Sequence, residues 1–179
     1  MSQAHRIQPT GPSSDMVTVR LGGTATTFNY TDLWKFVKLS TSESQYDLAA
    51  AGDPIEAVVA KIDEATSGGF TIGNIADRDR IFAIADGLQA TPGTGTLAVG
   101  DYVCVGTVVA RNTALSSTAP YAKVCKSTVQ LGVAPADLAG AGRQADLLRA
   151  GAWRVVSLGP VGTGAVGTLI VIAPVGRKL

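Results

Sequence analysis

Gly52-Asp53-Pro54-Ile55, followed by Glu56-Ala57-Val58-Val59-Ala60-Lys61-Ile62 and closed by Asp63-Glu64, decides the fold class. Gly supplies a positive φ, Asp bonds backbone N–H groups nearby, and Pro cannot sit inside a central strand, so the stretch reads as a turn feeding a strand over 55–62. The same phrase returns as Gly100-Asp101-Tyr102-Val103, where an apolar run from Tyr102 to Val109 follows. Both are turn chemistry at a strand entrance.

Working outward, Val17, Val19 and Leu21 alternate with Thr18 and Arg20, a period of two that lays one face of a strand on a core. Gly22-Gly23 turns the chain, and threonine-rich 24–30 reads as the return strand. Residues 31–37 fit a helical turn capped by Thr31 and fit more strand equally well. Ser67-Gly68-Gly69 leads to Phe70, Ile72 and Ile75; Arg80 to Ala85 is a further apolar run before Asp86-Gly87. That spacing is a meander. Pro135 to Gly151 is the best helix, with Leu138, Leu147 and Leu148 as anchors, although Gly140 and Gly142 weaken its middle. Residues 152–158 and 168–175 form a closing strand pair. The expectation is a mainly β chain: a small β-barrel or β-sandwich with an extended N-terminal arm at 1–15, one or two short helices, and a single β-rich domain over 16–179.

The 179 residues are 46% hydrophobic and 16% charged, enough to bury a core. A net charge of +1 provides no field towards nucleic acid or an anionic membrane. The longest apolar stretch, near 168–175, is too short to span a bilayer, and 1–15 lacks the apolar centre of a signal peptide, so synthesis in the cytoplasm is expected. Cys104 and Cys125 lack CxxC spacing and read as buried free thiols.

Catalytic equipment is sparse. The one histidine is His5, in the polar 1–15 segment, so a Ser–His–Asp or Cys–His arrangement would have to recruit it from there. Residues 162–167 match GxGxxG, but a strand rather than a helix follows, and the fingerprint's later acidic residue has no room. They read as a flexible hairpin tip. Asp77-Arg78-Asp79-Arg80 reads as a solvated edge, and Trp34 and Trp153 as core or subunit-contact residues. No cofactor and no metal is expected, and no enzymatic activity.

Residues 38–40 and 46–56, then 65–70, 85–87 and 97–103, are similar to the capsid decoration, or cement, proteins of tailed bacteriophages. The resemblance covers about the middle half of the chain. It implies a structural virion protein on the outer surface of an icosahedral head, made in the host cytoplasm, a homotrimer by preference, that bridges the major capsid protein subunits. His5, Arg6 and Gln8 are the expected capsid-contact residues, Arg6 against a carboxylate. One alternative is a head-fibre or tail-associated structural protein. Another is a small β-barrel multi-subunit hydrolase, which would need Asp53, Asp77 and Asp101 to converge on a metal.

Overall fold

The computed structural model describes residues 16–22, 28, 32–40, 44–65, 71–77, 80–108, 122–128 and 152–175. Within them run β1 (Met16–Leu21), β2 (Phe36–Leu39), β3 (Tyr46–Leu48), β4 (Ala57–Ala65), β5 (Thr71–Ala76) and β6 (Ile81–Leu88). Then follow β7 (Thr91–Pro92), β8 (Tyr102–Val105), β9 (Lys123–Lys126), β10 (Trp153–Ser157) and β11 (Leu169–Pro174).

These strands form two closed barrels, which corrects the expectation of one. The first closes in the order β1-β3-β2-β4-β5, with β5 returning to β1. In the second, β11-β10-β8-β9-β6 closes through the β11–β6 ladder, and β7 extends β6 as a two-residue edge. The expected short helices are a second correction, since no helix occurs among the described residues; the candidate at 135–151 lies outside them, as does the segment 1–15. Residues 32–35 make a turn, and the strand starts at Phe36.

The two barrels share one connectivity. In the first, β1 runs parallel to β3 and antiparallel to β5; β2 is antiparallel to β3 and β4, and β4 to β5. In the second, β6, β8, β9, β10 and β11 repeat those five relations in the same order. A plain meander would have no parallel pair.

The registers coincide as well. Val37 faces Leu48 and Ala57 across its two ladders, and Val103 correspondingly faces Lys126 and Trp153. The β4–β5 ladder slips between Val59 and Lys61, and the β10–β11 ladder slips at the matching place, between Val155 and Ser157. Trp34 N donates to Val59 O, and Val59 N to Lys35 O; Gly100 N donates to Val155 O, and Val155 N to Asp101 O. At the matched turn position Gly100 holds φ 95° and Trp34 holds φ 69°, a left-handed conformation that a bulky side chain adopts only under constraint.

Side-chain volume is redistributed between the copies. Val19 faces Gly73 in the first barrel, whereas Ala83 faces Ile170 in the second. A Cβ on Gly73 would lie 2.5 Å from Leu21 Cδ1 and from Lys61 O, so Leu21 fills the space that Ile170 fills in the other copy. Both interiors are close-packed by different side chains.

Alternation along β2 and β4 then joins the barrels. Val37, Ala57 and Val59 point into the first barrel, with Leu21, Phe28, Ile62 and Ile75. Phe36 and Val58 take the opposite face and enter the core that holds Ala83, Ala85, Val103, Val124, Trp153, Val155, Ile170 and Ile172 of the second. Two strands therefore have both faces buried. Trp153, 1% exposed, is the largest fully buried side chain, and Trp34 packs on the same core from its edge.

Phe36→Ala removes a side chain belonging to one barrel by chain and to the other by core. It is expected to cost about 3–5 kcal/mol and to lower one common urea midpoint, read by far-UV circular dichroism and tryptophan fluorescence. Separate transitions would contradict the shared core.

Candidate functional site

Two turns and one buried cluster of the described residues are held by ion pairs. Residues 50–53 form the first turn. Asp53 Oδ2 accepts from Ala50 N at 2.7 Å, Gly52 holds φ 86°, and Lys38 Nζ from β2 lies 2.7 Å from Asp53 Oδ2. Residues 98–101 repeat the device: Asp101 Oδ2 accepts from Ala98 N at 2.8 Å, and Lys126 Nζ from β9 lies 2.8 Å from Asp101 Oδ1. The echo of Gly-Asp in the sequence is thus a repeated turn. It is not the register of the duplication, because 50–53 follows β3 and 98–101 precedes β8.

The first of these turns touches the second barrel directly. Gly52 N donates to Val105 O at 2.8 Å, and Val105 N donates to Asp53 O at 3.0 Å. Gln89, at the end of β6, reaches Gly52 O with its amide nitrogen at 3.4 Å and accepts from Thr128 N at 2.9 Å. Main-chain bonds thereby extend across the junction that Phe36 and Val58 fill with apolar atoms.

Asp86, on β6 of the second barrel, is a buried carboxylate, 2% exposed. Its Oδ2 accepts from Thr107 N at 2.7 Å, and Lys123 Nζ stands 3.1 Å from Oδ1. Gly106 leaves the room: a Cβ there would lie 3.0 Å from Asp86 Oδ2 and from Lys123 O. Burial alone raises the Asp86 pKa, but the hydrogen bonds from Thr107 and the Lys123 ammonium outweigh it and hold the carboxyl below its ordinary value. The group stays ionised and ties β6, β9 and the end of β8 together.

Cys104 and Cys125 face each other across β8 and β9, on the face opposite Val103, Val105 and Val124. Both are free and buried. Burial, with the neighbouring Cys125, pushes the Cys104 thiol up to about 12. Burial and the Asp86 charge push Cys125 up to about 11, and its Sγ–H donates to Asp86 O at 3.6 Å. Thiols so held are protonated at neutral pH and are poor nucleophiles.

The sequence-derived residues distribute as follows. His5, Arg6 and Gln8 lie outside the described residues. Asp53 and Asp101 sit in separate lysine-paired turns, and Asp77 follows β5. Among the described residues no group of three or more His, Cys, Asp or Glu side chains is placed to hold a metal ion. The hydrogen-bonded connection 158–168 does join β10 to β11 as a hairpin tip. Asp86, Lys123 and Gln89 were not singled out from sequence. The available signal was an acid inside the apolar run of β6, which needs a partner to be buried.

Comparison with protein-family models, with curated proteins and with solved structures gives no match to this chain.

Two outcomes test these buried groups. The lowered Asp86 pKa means the folded state keeps its proton off more strongly than the unfolded chain does. That stabilisation is complete above the ordinary carboxylate value of about 3.9 and is lost as pH falls through the lower folded value. Asp86→Asn is expected to cost about 1–3 kcal/mol at pH 7 and to flatten the acid limb of urea midpoint against pH. Separately, iodoacetamide at pH 8 is expected to leave Cys104 and Cys125 unmodified in the folded protein and to alkylate both in urea, as read by intact mass.

Proposed function

We propose that this chain is a structural protein of a tailed-phage particle that binds the outer surface of the icosahedral head as a homo-oligomer, a trimer by preference, and stabilises contacts between major capsid protein subunits. One observation supports the reading: two of the stretches resembling decoration proteins, 46–56 and 97–103, contain the two lysine-clamped turns, and the first of these turns bonds the second barrel. Lys38 and Asp53 form an ion pair, Gly52 and Asp53 bond Val105, and residues 98–101 form the second clamped turn.

A two-barrel body whose junction is both apolar and hydrogen-bonded suits a protein that resists strain between neighbouring subunits. Its interior is shared, so displacing one barrel exposes the core of the other. Residues 1–15 supply the capsid contacts in this proposal, with His5, Arg6 and Gln8 as the contacting side chains and Arg6 opposite a carboxylate.

The test is co-sedimentation with expanded empty heads built from the major capsid protein of the same genome. Saturable binding that weakens roughly tenfold or more on deletion of residues 1–15 is expected. Failure of the full chain to bind such heads would overturn the proposal.

A further inference from the structure

Cys104 and Cys125 are the chain's two cysteines, and β8 and β9 set them directly opposite each other. Gly106 N donates to Lys123 O at 2.8 Å and Ser127 N to Tyr102 O at 2.9 Å, each bond two residues along the ladder from the pair. By that alternation Cys104 and Cys125 occupy a hydrogen-bonded position, where facing Cα atoms lie about 5.5 Å apart. A disulfide spans Cα separations of roughly 4.4–6.8 Å. Facing residues also project from the same side of a sheet, and Cys104 Sγ–H donates to Cys125 O at 3.7 Å.

The matching position of the first barrel carries a charge pair. Val37 and Leu48 correspond to Val103 and Lys126, so Cys104 stands where Lys38 stands and Cys125 where Asp47 stands. Lys38 and Asp47 face each other across β2 and β3. One copy thus sets opposite charges at this cross-strand position, and the other sets two thiols. On its far side β9 has slack at this level. Its pairing with β6 shifts register between Ala85 and Leu88, so that Asp86 and Gly87 stand opposite Cys125 alone. An interrupted ladder lets β9 draw towards β8 at the pair.

We infer that Cys104 and Cys125 are a redox-set staple: a chain folding in the presence of a low-molecular-weight disulfide joins them across β8 and β9, and the closed fold keeps whichever state it received. In the open chain, the thiolate of one cysteine attacks the small disulfide, forming a mixed disulfide and releasing one small thiolate. The thiolate of the other cysteine attacks the protein sulfur of that mixed disulfide, and a second small thiolate leaves with the bonding electron pair. The two protons given up by the cysteines go to the two small thiolates. Two protein thiols and one small disulfide thereby become one protein disulfide and two small thiols. Folding then closes the site. Both sulfurs are buried, and a thiol kept protonated there presents no thiolate for exchange. The staple sits beside the contact between the barrels, because Cys104 precedes Val105, which bonds Gly52 and Asp53 through its main chain. It is independent of head binding.

The experiment unfolds the full chain in urea and refolds it by dilution into either a mixture of oxidised and reduced glutathione or dithiothreitol. Intact mass is expected to show the first product lighter by two hydrogens with no glutathione attached, and the second with both thiols. With two cysteines in the chain, that loss in a monomer has one assignment. Far-UV circular dichroism is expected to be the same for both. Each folded form, moved into the other buffer without urea, is expected to keep its mass, and in urea to convert. With thiols removed, the urea midpoint of the oxidised form is expected above that of the dithiol form, because the ring closed over residues 104–125 restricts the unfolded chain. Free thiols, a glutathione adduct or a disulfide-linked dimer as the folded product of the oxidising mixture overturns the inference. So does exchange in the folded state, an altered dichroism spectrum, or a lower midpoint for the oxidised form.

Discussion

The fold depends on the double burial of β2 and β4. A strand covered on one face needs apolar residues only at every second position, but here Phe36 and Val37 are both buried, as are Ala57, Val58 and Val59. Odd positions close the first barrel and even ones complete the core of the second. A one-residue slip in either strand would exchange the two sets and empty both cores together, so the pairings Phe36 to Val58 and Val37 to Ala57 fix register throughout the molecule. The turn at 50–53 reinforces that register by bonding Val105, itself inward-facing in the second barrel.

The repeated topology extends to its irregularities. Both barrels slip one residue after equivalent valines, Val59 and Val155. The turn ahead of β2 keeps its left-handed position even though Trp34 occupies it, because the backbone bonds to Val59 are those that Gly100 makes to Val155. Trp34 is held there by packing on the shared core. Elsewhere the copies diverged by compensation, with Gly73 beside Leu21 in one and Ile170 beside Ala83 in the other. Shape was retained while residue identity was not.

That divergence sets what the sequence discloses. Period-two alternation locates β1, and apolar runs bounded by Gly-Asp or Asp-Gly locate β4, β6 and β8, because those signals come from burial and turn sterics that act locally. Pairing is not local. The parallel contacts β1–β3 and β6–β9 skip over the strand that precedes β3 or β9, and a run of short strands at even spacing fits a meander equally well. The duplication itself escaped notice because its positions match in register while their side chains exchange size. The visible echo, Gly52-Asp53 with Gly100-Asp101, points to the wrong correspondence. Nothing within β6 itself reveals that Lys123 and Thr107 approach Asp86 from beyond β8.

Charge is used in this molecule where the chain must be held in one shape. Asp53, Asp86 and Asp101 each join a backbone N–H to a lysine on a neighbouring strand, so each carboxylate holds a turn or a strand end in place. The loops 89–100 and 157–168 reach comparable order by a different route, with threonine hydroxyls and main-chain bonds replacing ion pairs. Ion pairs would have fixed those loops as well, at the expense of leaving hydrated groups on their surface that any contact must strip of water. Holding them with groups that satisfy one another internally leaves apolar side chains facing outward. That division places charge at the clamped turns and strand ends and none on the loops.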